Sequence, residues 1–305
     1  MTDAIAIRGV TKSYDATVAV DGLSLTVPEG SIYGFIGPNG SGKSTTIRMI
    51  MRILLPDRGD IEVLGGRSPS AARDRVGYLP EERGLYKRMT VGRVLEYFGK
   101  LKGARQPGLG RDIDGWLGRM GLAAWADKRV DALSKGMAQK VQFIAAAVAR
   151  PSLLILDEPF SGLDPVNADV LRDAVLDLRR GGTTIVFSTH DMPAAEKLCD
   201  RIFMIFKGKK VLDGSLDEIQ SAYGHDTVVV RTVGGRLVLE GLPGVEAVTD
   251  HGNEQEVRLA PGSDPQAFLR ALATTTTVQR FEIVRPSLHD IFVRIARPED
   301  LERRA

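Results

Sequence analysis

The sequence predicts an α/β domain followed by a smaller α+β domain, and three observations lead to this prediction. Over roughly the first 220 residues, short apolar runs typical of buried strands alternate with longer segments of helical periodicity. A glycine-rich loop at 37–45, GPNGSGKST, joins one such strand to one such helix. Past residue 222 the chain alternates like short strands around one helix, so we place the domain boundary between residues 222 and 223.

The elements of the first domain follow in order along the chain. Its first thirty residues alternate as short β-like runs that end at the turn signal PEG. Residues from about 90 to 150 have helical periodicity throughout. The predicted core strands are 31–37, 153–157 and 183–189, the predicted helices are 43–54 and 166–180, and residues 202–215 predict a closing hairpin.

The second domain is predicted from period-two alternation. Its strand-like segments are TVVVRTV (227–233), RLVLEG (236–241), VEAVTD (245–250) and EVRLA (256–260). A helix is expected at PQAFLRALATT, and VQRFEIV and SLHDIFVRIA follow it. Together these residues, 223–305, predict a small α+β module.

Composition limits the classes of function. The chain has 305 residues, 43% hydrophobic and 26% charged, as in ordinary globular proteins. A net charge of +2 without a long basic block gives no reason to expect nucleic-acid binding. The single cysteine, Cys199, excludes an intrachain disulfide. Because no apolar run approaches the ~20 residues of a membrane helix, and the N-terminus lacks the features of a signal peptide, we expect a cytoplasmic protein.

The loop at 37–45 fits the pattern G-x-x-x-x-G-K-[ST], which binds the phosphates of a nucleoside triphosphate. Its glycines let the backbone N–H groups point inward, Lys43 can reach the β- and γ-phosphates, and the Ser44 hydroxyl can bind Mg²⁺. We call residues 37–45 the cradle. Its predicted nucleotide-binding residues are Gly37, Asn39, Gly40, Ser41, Gly42, Lys43, Ser44 and Thr45.

Two further strand ends predict the catalytic groups. In LLILDEP, the buried strand places Asp157 beside the cradle, where it can hold the metal through water. Glu158 can then orient or deprotonate the attacking water. His190 ends a neighbouring strand in FSTHD, where its imidazole can donate a hydrogen bond to the γ-phosphate.

A second candidate phosphate site lies at LSKGM, residues 133–137. Ser134 and Gly136 precede a predicted helix, and the N–H groups at a helix start favour anions. One domain therefore carries two phosphate sites about ninety residues apart.

The order GPNGSGKST, LSKGM, LLILDEP, SGLD, STH resembles the nucleotide-binding subunit of an ABC transporter, from residue 4 to about 220. The resemblance implies a P-loop NTPase with a RecA-like core, an antiparallel β subdomain and a helical subdomain at about 90–150 that carries the signature motif, LSKGM. It also implies ATP and Mg²⁺ as ligands. Tyr14 resembles the aromatic residue that stacks on adenine, and Asp164 the residue that crosses the dimer contact.

The same resemblance explains the second phosphate site. In this family two such domains stack head to tail, and each ATP lies between one copy's cradle and the other copy's signature. Ser134 and Gly136 would therefore face the γ-phosphate bound by a partner, expected to be a second copy of this chain. Separate transmembrane permease subunits are also implied, which would place the chain on the inner face of the cell membrane.

The sequence departs from the family pattern at two places. Glu81, in YLPEERGLY, stands where the family usually has a glutamine that senses Mg²⁺ and the attacking water. A carboxylate there can still reach the metal, but it adds a negative charge. Lys135 and Met137 replace the usual glycine and glutamine of the signature. Lys135 either adds positive charge near the partner's nucleotide or points to water.

LSKGM, YLPEERGLY and the C-terminal PSLHDIFVRIA together resemble the subgroup that serves bacterial ABC-2-type exporters, in which a small domain follows the ATPase. The leading hypothesis is thus an exporter ATPase. The alternatives are a soluble ABC ATPase acting on nucleic acid, ribosomes or an assembly pathway, and a nucleotide-binding regulator with little turnover. The C-terminal domain would either steady or regulate the dimer, or be a passive extension.

Overall fold

A computed structural model describes residues 2–66, 73–82, 84–103, 108–223, 227–260 and 262–302. The chain forms two compact units, Met1–Ser215 and Leu216–Ala305. The second unit begins seven residues before the boundary expected from the sequence.

The first unit contains two sheets. Its strands are β1 (Asp3–Tyr14), β2 (Thr17–Pro28), β3 (Ile32–Ile36), β4 (Arg58–Val63), β5 (Val76–Leu79), β6 (Leu153–Asp157), β7 (Thr184–Thr189), β8 (Arg201–Phe206) and β9 (Lys209–Gly214). The core sheet has the order β5-β6-β7-β3-β8-β9 and is parallel except for β9. The second sheet, β2-β1-β4, is antiparallel.

The core sheet positions the site because its parallel strands end at one edge. β3, β6 and β7 are buried along their whole length, as expected for parallel strands covered on both faces. In the pairing register, Ile36 lies beside Thr189, and Asp157 lies beside Ser188. The chain segments that leave these strands therefore begin side by side.

The helices of the first unit are α1 (Lys43–Ile50), α2 (Val91–Leu101), α3 (Gly108–Arg119), α4 (Lys135–Ala147), α5 (Pro165–Arg180) and α6 (Met192–Leu198). α2, α3 and α4 pack on one another and form the helical region expected at about 90–150. α1 is four residues shorter than predicted. Its C-terminal end is followed by Arg52 with a positive φ of 54°, and the N–H groups of Ile53 and Leu54 fold back onto the Arg48 carbonyl oxygen.

The second unit is an α+β module. Its elements are α7 (Leu216–Ala222), β10 (Thr227–Thr232), α8 (Arg236–Leu239), β11 (Val245–Asp250), β12 (Gln255–Leu259), α9 (Pro265–Thr275), β13 (Val278–Val284) and α10 (Leu288–Glu302). The four strands form an antiparallel sheet with the order β11-β12-β10-β13. Its separate apolar core contains Val228, Val230, Leu239, Val257, Leu259, Phe268 and Leu272.

The strand predicted at 236–241 is wrong, because these residues form the short helix α8. Gly234 and Gly235 have φ angles of 116° and 58°, which end the extended chain before it. In a strand Leu237 and Leu239 would share one face, yet Leu237 is 86% exposed and Leu239 fully buried. Arg236 and Glu240 form an ion pair four residues apart, which suits a helix.

Candidate functional site

The cradle has a backbone that requires glycine at two positions. A Cβ on Gly37 would lie 2.3 Å from the Ile205 carbonyl oxygen, and one on Gly42 would lie 2.5 Å from that of Ala19. Gly42 also has a φ of 110° and is the N-cap of α1. Because the first N–H groups of a helix have no intrahelical acceptor, the start of α1 offers several donors to an anion.

Lys43 lies at the centre of this loop and is only 6% exposed. Its ammonium donates to the carbonyl oxygens of Gly37 at 2.6 Å and Pro38 at 3.1 Å. Burial lowers the pKa of Lys43, and the carboxylates of Glu158, Asp157 and Glu81 oppose that shift. The charges of three carboxylates therefore act on one ammonium group at this end of the sheet.

A cavity of about 290 Å³ opens over the loop. It brings together most of the predicted cradle residues with Glu81 and Glu158. Its lining residues are Ala19, Asn39, Gly40, Ser41, Gly42, Lys43, Ser44, Thr45, Glu81 and Glu158. The Ser41 hydroxyl is buried there and has no hydrogen-bond partner among the described residues. A buried polar atom of this kind is stabilised by a polar ligand such as a phosphate.

Asp157 lies at the end of β6 and is 2% exposed. Burial raises the pKa of its carboxyl group, and a hydrogen bond from the Ser188 hydroxyl opposes the shift. An ionised carboxylate in such a place needs a cation nearby. Lys43 supplies part of that charge.

Glu158 is held in one orientation by its neighbours. Its φ of 50° is unusual for a residue with a side chain, and its N–H donates to the Ser188 carbonyl oxygen at 3.1 Å. One carboxylate oxygen lies 2.8 Å from His190 Nδ1 and the other 3.4 Å from the Thr189 hydroxyl. Since a carboxylate only accepts, His190 donates from Nδ1. The Glu158 side chain is 11% exposed and turned toward the cavity, so it can bind a water there.

Sequence reasoning missed Ser188, Thr189 and Ala19. The two hydroxyl residues hold the acidic pair, and Ala19 lines the cavity from β2. The signal for Ser188 and Thr189 was present in FSTHD, since a strand that ends just before His190 must also bring its last two side chains to the same edge.

The signature segment, residues 133–137, lies at a second helix start. Ser134 is the N-cap of α4 and accepts from the Met137 N–H at 3.3 Å. Asp164 is the N-cap of α5 and accepts from the Asn167 N–H at 3.0 Å. Neither of these caps nor Gly136 is among the residues that line the cavity.

Lys135 is exposed to solvent and also contacts its own chain. Its side chain crosses Gly162, in SGLD, so closely that a Cβ on Gly162 would lie 2.8 Å from both Cε and Nζ of the lysine. Gly162 also has a φ of 73°. Lys135 therefore packs on the segment that precedes Asp164 in its own chain.

Tyr14 ends β1, is 44% exposed and is not among the residues that line the cavity. Its ring centroid lies 5.9 Å from the ammonium of Lys12. An exposed ring of this kind can stack on a planar ligand.

A parallel core sheet whose phosphate loop follows a central strand, with acidic residues at the end of a nearby strand, defines a P-loop nucleoside triphosphatase domain. Comparison with known families agrees. A family model described as "ABC transporter" matches residues 20–161, and one described as "ATP-binding protein DrrA1-3-like, C-terminal domain" matches residues 214–296. A model described as "AAA domain, putative AbiEii toxin, Type IV TA system" matches the shorter stretch 128–195.

Relatives extend the match to almost the whole chain. The chain is 39% identical to the uncharacterized ABC transporter ATP-binding protein YhaQ of Bacillus subtilis (strain 168), over 95% of this chain and 97% of the relative. It is 35% identical to the Nod factor export ATP-binding protein I of Rhizobium sp. (strain N33), over 96% of both. A solved structure described as "Structure of ATP binding subunit of ABC transporter" matches with a TM-score of 0.69 and 31% identity, over 72% of this chain and 93% of that one.

The chain therefore belongs to the family of ABC transporter ATP-binding subunits, and it is an ATPase. The predicted fold, a P-loop NTPase core with a small C-terminal domain, is confirmed. Subunits of this family work as dimers with transmembrane components. Within the described residues, no helix is long and apolar enough to cross a bilayer.

Proposed function

We propose that two copies of this chain close head to tail around ATP, and that this closure drives an exporter whose membrane-spanning part is a separate polypeptide. One observation carries the proposal: the chain has two candidate phosphate sites at helix starts, and of these two the start of α1 lines the cavity while the start of α4 does not. The start of α4, with Ser134 and Gly136, has no nucleotide to contact within its own chain. A second copy would bring its bound γ-phosphate to that helix start, with Asp164 at the dimer contact.

In this proposal Glu158 is the general base. It takes a proton from the attacking water while His190 donates from Nδ1 to its carboxylate. Only an imidazole with a proton on each nitrogen can also donate from Nε2, so in this step His190 contacts the terminal phosphate as the imidazolium form. The positive φ of Glu158 turns its side chain away from the line of the strand, toward the cavity. Tyr14 stacks on the adenine ring.

The donor set also fits Mg²⁺. Ser44, Asp157 and Glu81 offer the hydroxyl and carboxylate oxygens that this ion prefers, and the carboxylates outnumber the one ammonium group of Lys43. When bound, the ion would supply positive charge that stabilises the negative charge of the phosphates. We propose that Ser44 and Glu81 bind it directly, and that Asp157 holds it through water. Compared with glutamine, Glu81 places one more negative charge at this ion.

Export through a membrane partner is supported by three observations. The relative from Rhizobium is named as a Nod factor export protein, and the C-terminal residues match a DrrA1-3-like domain. In addition, Tyr86, Tyr97 and Phe98 form a ring cluster in which Tyr86 is 50% and Tyr97 43% exposed, and Leu101 beside it is 57% exposed. An apolar patch of this kind on a helix suits a protein partner.

We propose that the apolar patch of Tyr86, Tyr97, Phe98 and Leu101 contacts a transmembrane permease subunit. The ATPase would then lie on the inner face of the cell membrane. Gln142 on α4 donates to the backbone of Glu82 at 3.2 Å, and this bond links the Glu81 segment to the signature helix. Residues 223–305 would form an accessory domain that steadies or regulates the dimer, and its own apolar core shows that it is a separately packed module.

The substitution Glu158→Gln tests the proposal. Removing the base should lower the ATPase rate by about a hundredfold or more, while the phosphate contacts and therefore ATP binding stay intact. Trapped with MgATP, the variant should elute as a dimer in size-exclusion chromatography with light scattering. Glu62→Gln, on the antiparallel sheet, is the matched control and should hydrolyse ATP like the parent. A Glu158→Gln variant that stays monomeric with MgATP, or that turns over normally, contradicts the proposal.

A further inference from the structure

A buried lysine on the signature helix has no role in the chemistry described so far. Lys140 is 8% exposed, and its ammonium donates to the Met120 carbonyl oxygen at 2.7 Å and to Asn167 Oδ1 at 2.8 Å. Both acceptors are uncharged. Burial lowers the pKa of Lys140, and the Asp164 carboxylate partly offsets the shift. Because a buried ammonium is costly to desolvate, its retention at this place points to a specific task.

Asn167 connects Lys140 to Asp164 through hydrogen bonds. Its side-chain Nδ2 and its backbone N–H donate to the two carboxylate oxygens of Asp164, the backbone bond being 3.0 Å long. Lysine can only donate and an ionised carboxylate can only accept, so the amide of Asn167 has one favourable orientation, with oxygen toward Lys140 and nitrogen toward Asp164. These bonds lower the pKa of Asp164 and keep it ionised. Lys140 thus fixes Asn167, and Asn167 fixes Asp164.

The same lysine belongs to the helix that starts at Ser134. A Cβ placed on Gly136 would lie 3.5 Å from Leu163 Cδ2 and 4.0 Å from Asn167 Nδ2, so the first turn of α4 is in contact with the Asp164 segment. Lys135 across Gly162 gives a second contact between the two segments. The signature and Asp164 are therefore joined by packing and by a directed chain of hydrogen bonds.

We propose that Lys140 and Asn167 are positioning residues that lock the Ser134 helix start and Asp164 into one arrangement, so that one subunit presents both to the nucleotide of the second copy. The inference rests on the head-to-tail dimer proposed above. Both residues act through Asp164 and α4 and make no contact with ATP themselves. The lock is polar and directional, so it depends on which atoms donate and which accept.

The substitution Asn167→Asp separates the contact of position 167 with Lys140 from its contact with Asp164. A carboxylate at position 167 still accepts from Lys140 and gives that ammonium a counter-ion, so the fold should be at least as stable. The new carboxylate cannot donate a hydrogen bond to the Asp164 carboxylate, however, and the two negative charges repel each other. In a Glu158→Gln background with MgATP, sedimentation velocity measures the protein concentration at which half of the subunits are dimeric. This concentration should rise by about tenfold or more. Binding of a fluorescent ATP analogue to the isolated subunit should change by less than about twofold.

Two lysine variants and one control complete the test. Lys140→Met removes the donor and should weaken dimerisation like Asn167→Asp, whereas Lys140→Arg keeps a buried cationic donor and should stay within about threefold of the parent. Arg172→Gln, on the same helix α5, changes the net charge by the same amount as Asn167→Asp and should leave dimerisation unchanged.

The outcomes separate the two proposals. If the Glu158→Gln parent dimerises with MgATP and Asn167→Asp dimerises at the same concentration, the lock is refuted and the dimer stands. If the parent itself stays monomeric, the dimer fails and the lock fails with it. If Lys140→Met lowers the melting temperature and Lys140→Arg does not restore dimerisation, Lys140 has a merely structural role, which also overturns the inference.

Discussion

Two helix starts in this chain are the proposed phosphate sites, and the contrast between them lies in what already surrounds each one. The start of α1 follows a loop in which Gly37 and Gly42 leave no room for a side chain, and Lys43 lies buried among three carboxylates. The start of α4 is exposed, and its N-cap, Ser134, already accepts from the Met137 N–H. The first start is a nearly complete site within one chain. The second is half of a site.

In the proposed dimer, this difference lets one subunit bind ATP alone and yet depend on a second copy for turnover. A hydroxyl that accepts one hydrogen bond keeps its own proton to donate, so Ser134 can cap α4 and still contact a partner's phosphate. The cradle should thus set the affinity of the isolated subunit. The signature segment should affect dimerisation and leave that affinity unchanged.

The largest expected effect comes from Lys43→Ala. Removing the buried ammonium deletes the charge that contacts the β- and γ-phosphates, so the affinity of the isolated subunit for ATP should fall by about a hundredfold or more. Titration with a fluorescent ATP analogue measures it. Lys135→Ala is the matched control, because this lysine also lies in the first turn of a helix but packs on Gly162. Equal losses in the two variants would contradict the contrast between the two helix starts.

A smaller effect is expected from Ser134→Ala. Losing the cap should cost roughly 1 kcal/mol of stability, and losing the phosphate donor should raise the half-dimer concentration by about tenfold in the Glu158→Gln background. Asp264→Ala removes a comparable cap from α9, where Asp264 accepts from the N–H groups of Gln266 and Ala267. It should cost similar stability and, although it lies in the accessory domain, weaken dimerisation by less than Ser134→Ala, because no phosphate donor is lost. Dimerisation that follows stability in both variants would show that Ser134 is a cap and nothing more.

Much of the fold and the cradle could be predicted from the sequence, because the informative signals are local. A glycine-rich loop between a strand and a helix specifies its own geometry, and the apolar run before Asp157 predicts a buried strand end. The error at 236–241 arose because alternating Leu237 and Leu239 fit a strand as well as a short helix, and the two glycines before them decided the outcome. The partners of Glu158, Lys135 and Lys140 could not be predicted, since they depend on which strand ends and helices meet in space.

The smallest effect concerns two aspartates, one in each half of the proposed site. Burial raises the pKa of Asp157, so its ionised form costs stability in the folded chain, and that cost is present above the raised pKa and vanishes below the pKa of the unfolded chain. Asp157→Asn should thus raise the melting temperature of the nucleotide-free protein by about 2–4 °C at pH 8, with a gain that shrinks as the pH is lowered toward 4, while MgATP hydrolysis is lost.

For Asp164 the effect of the ionised carboxylate on stability has the opposite sign. Hydrogen bonds from Asn167 lower its pKa, so the carboxylate adds stability above the pKa of the unfolded chain and loses that contribution as the pH falls through the folded pKa. Asp164→Asn should therefore give no gain in melting temperature at pH 8. Thermal melts of both variants from pH 4 to 8 test the pair, and a stabilisation at Asp164 equal to that at Asp157 would remove the electrostatic distinction between the two halves. The opposite signs are expected because the metal-binding half keeps a buried charge for its ligand, whereas the dimer-facing half has already paired its charge within the chain.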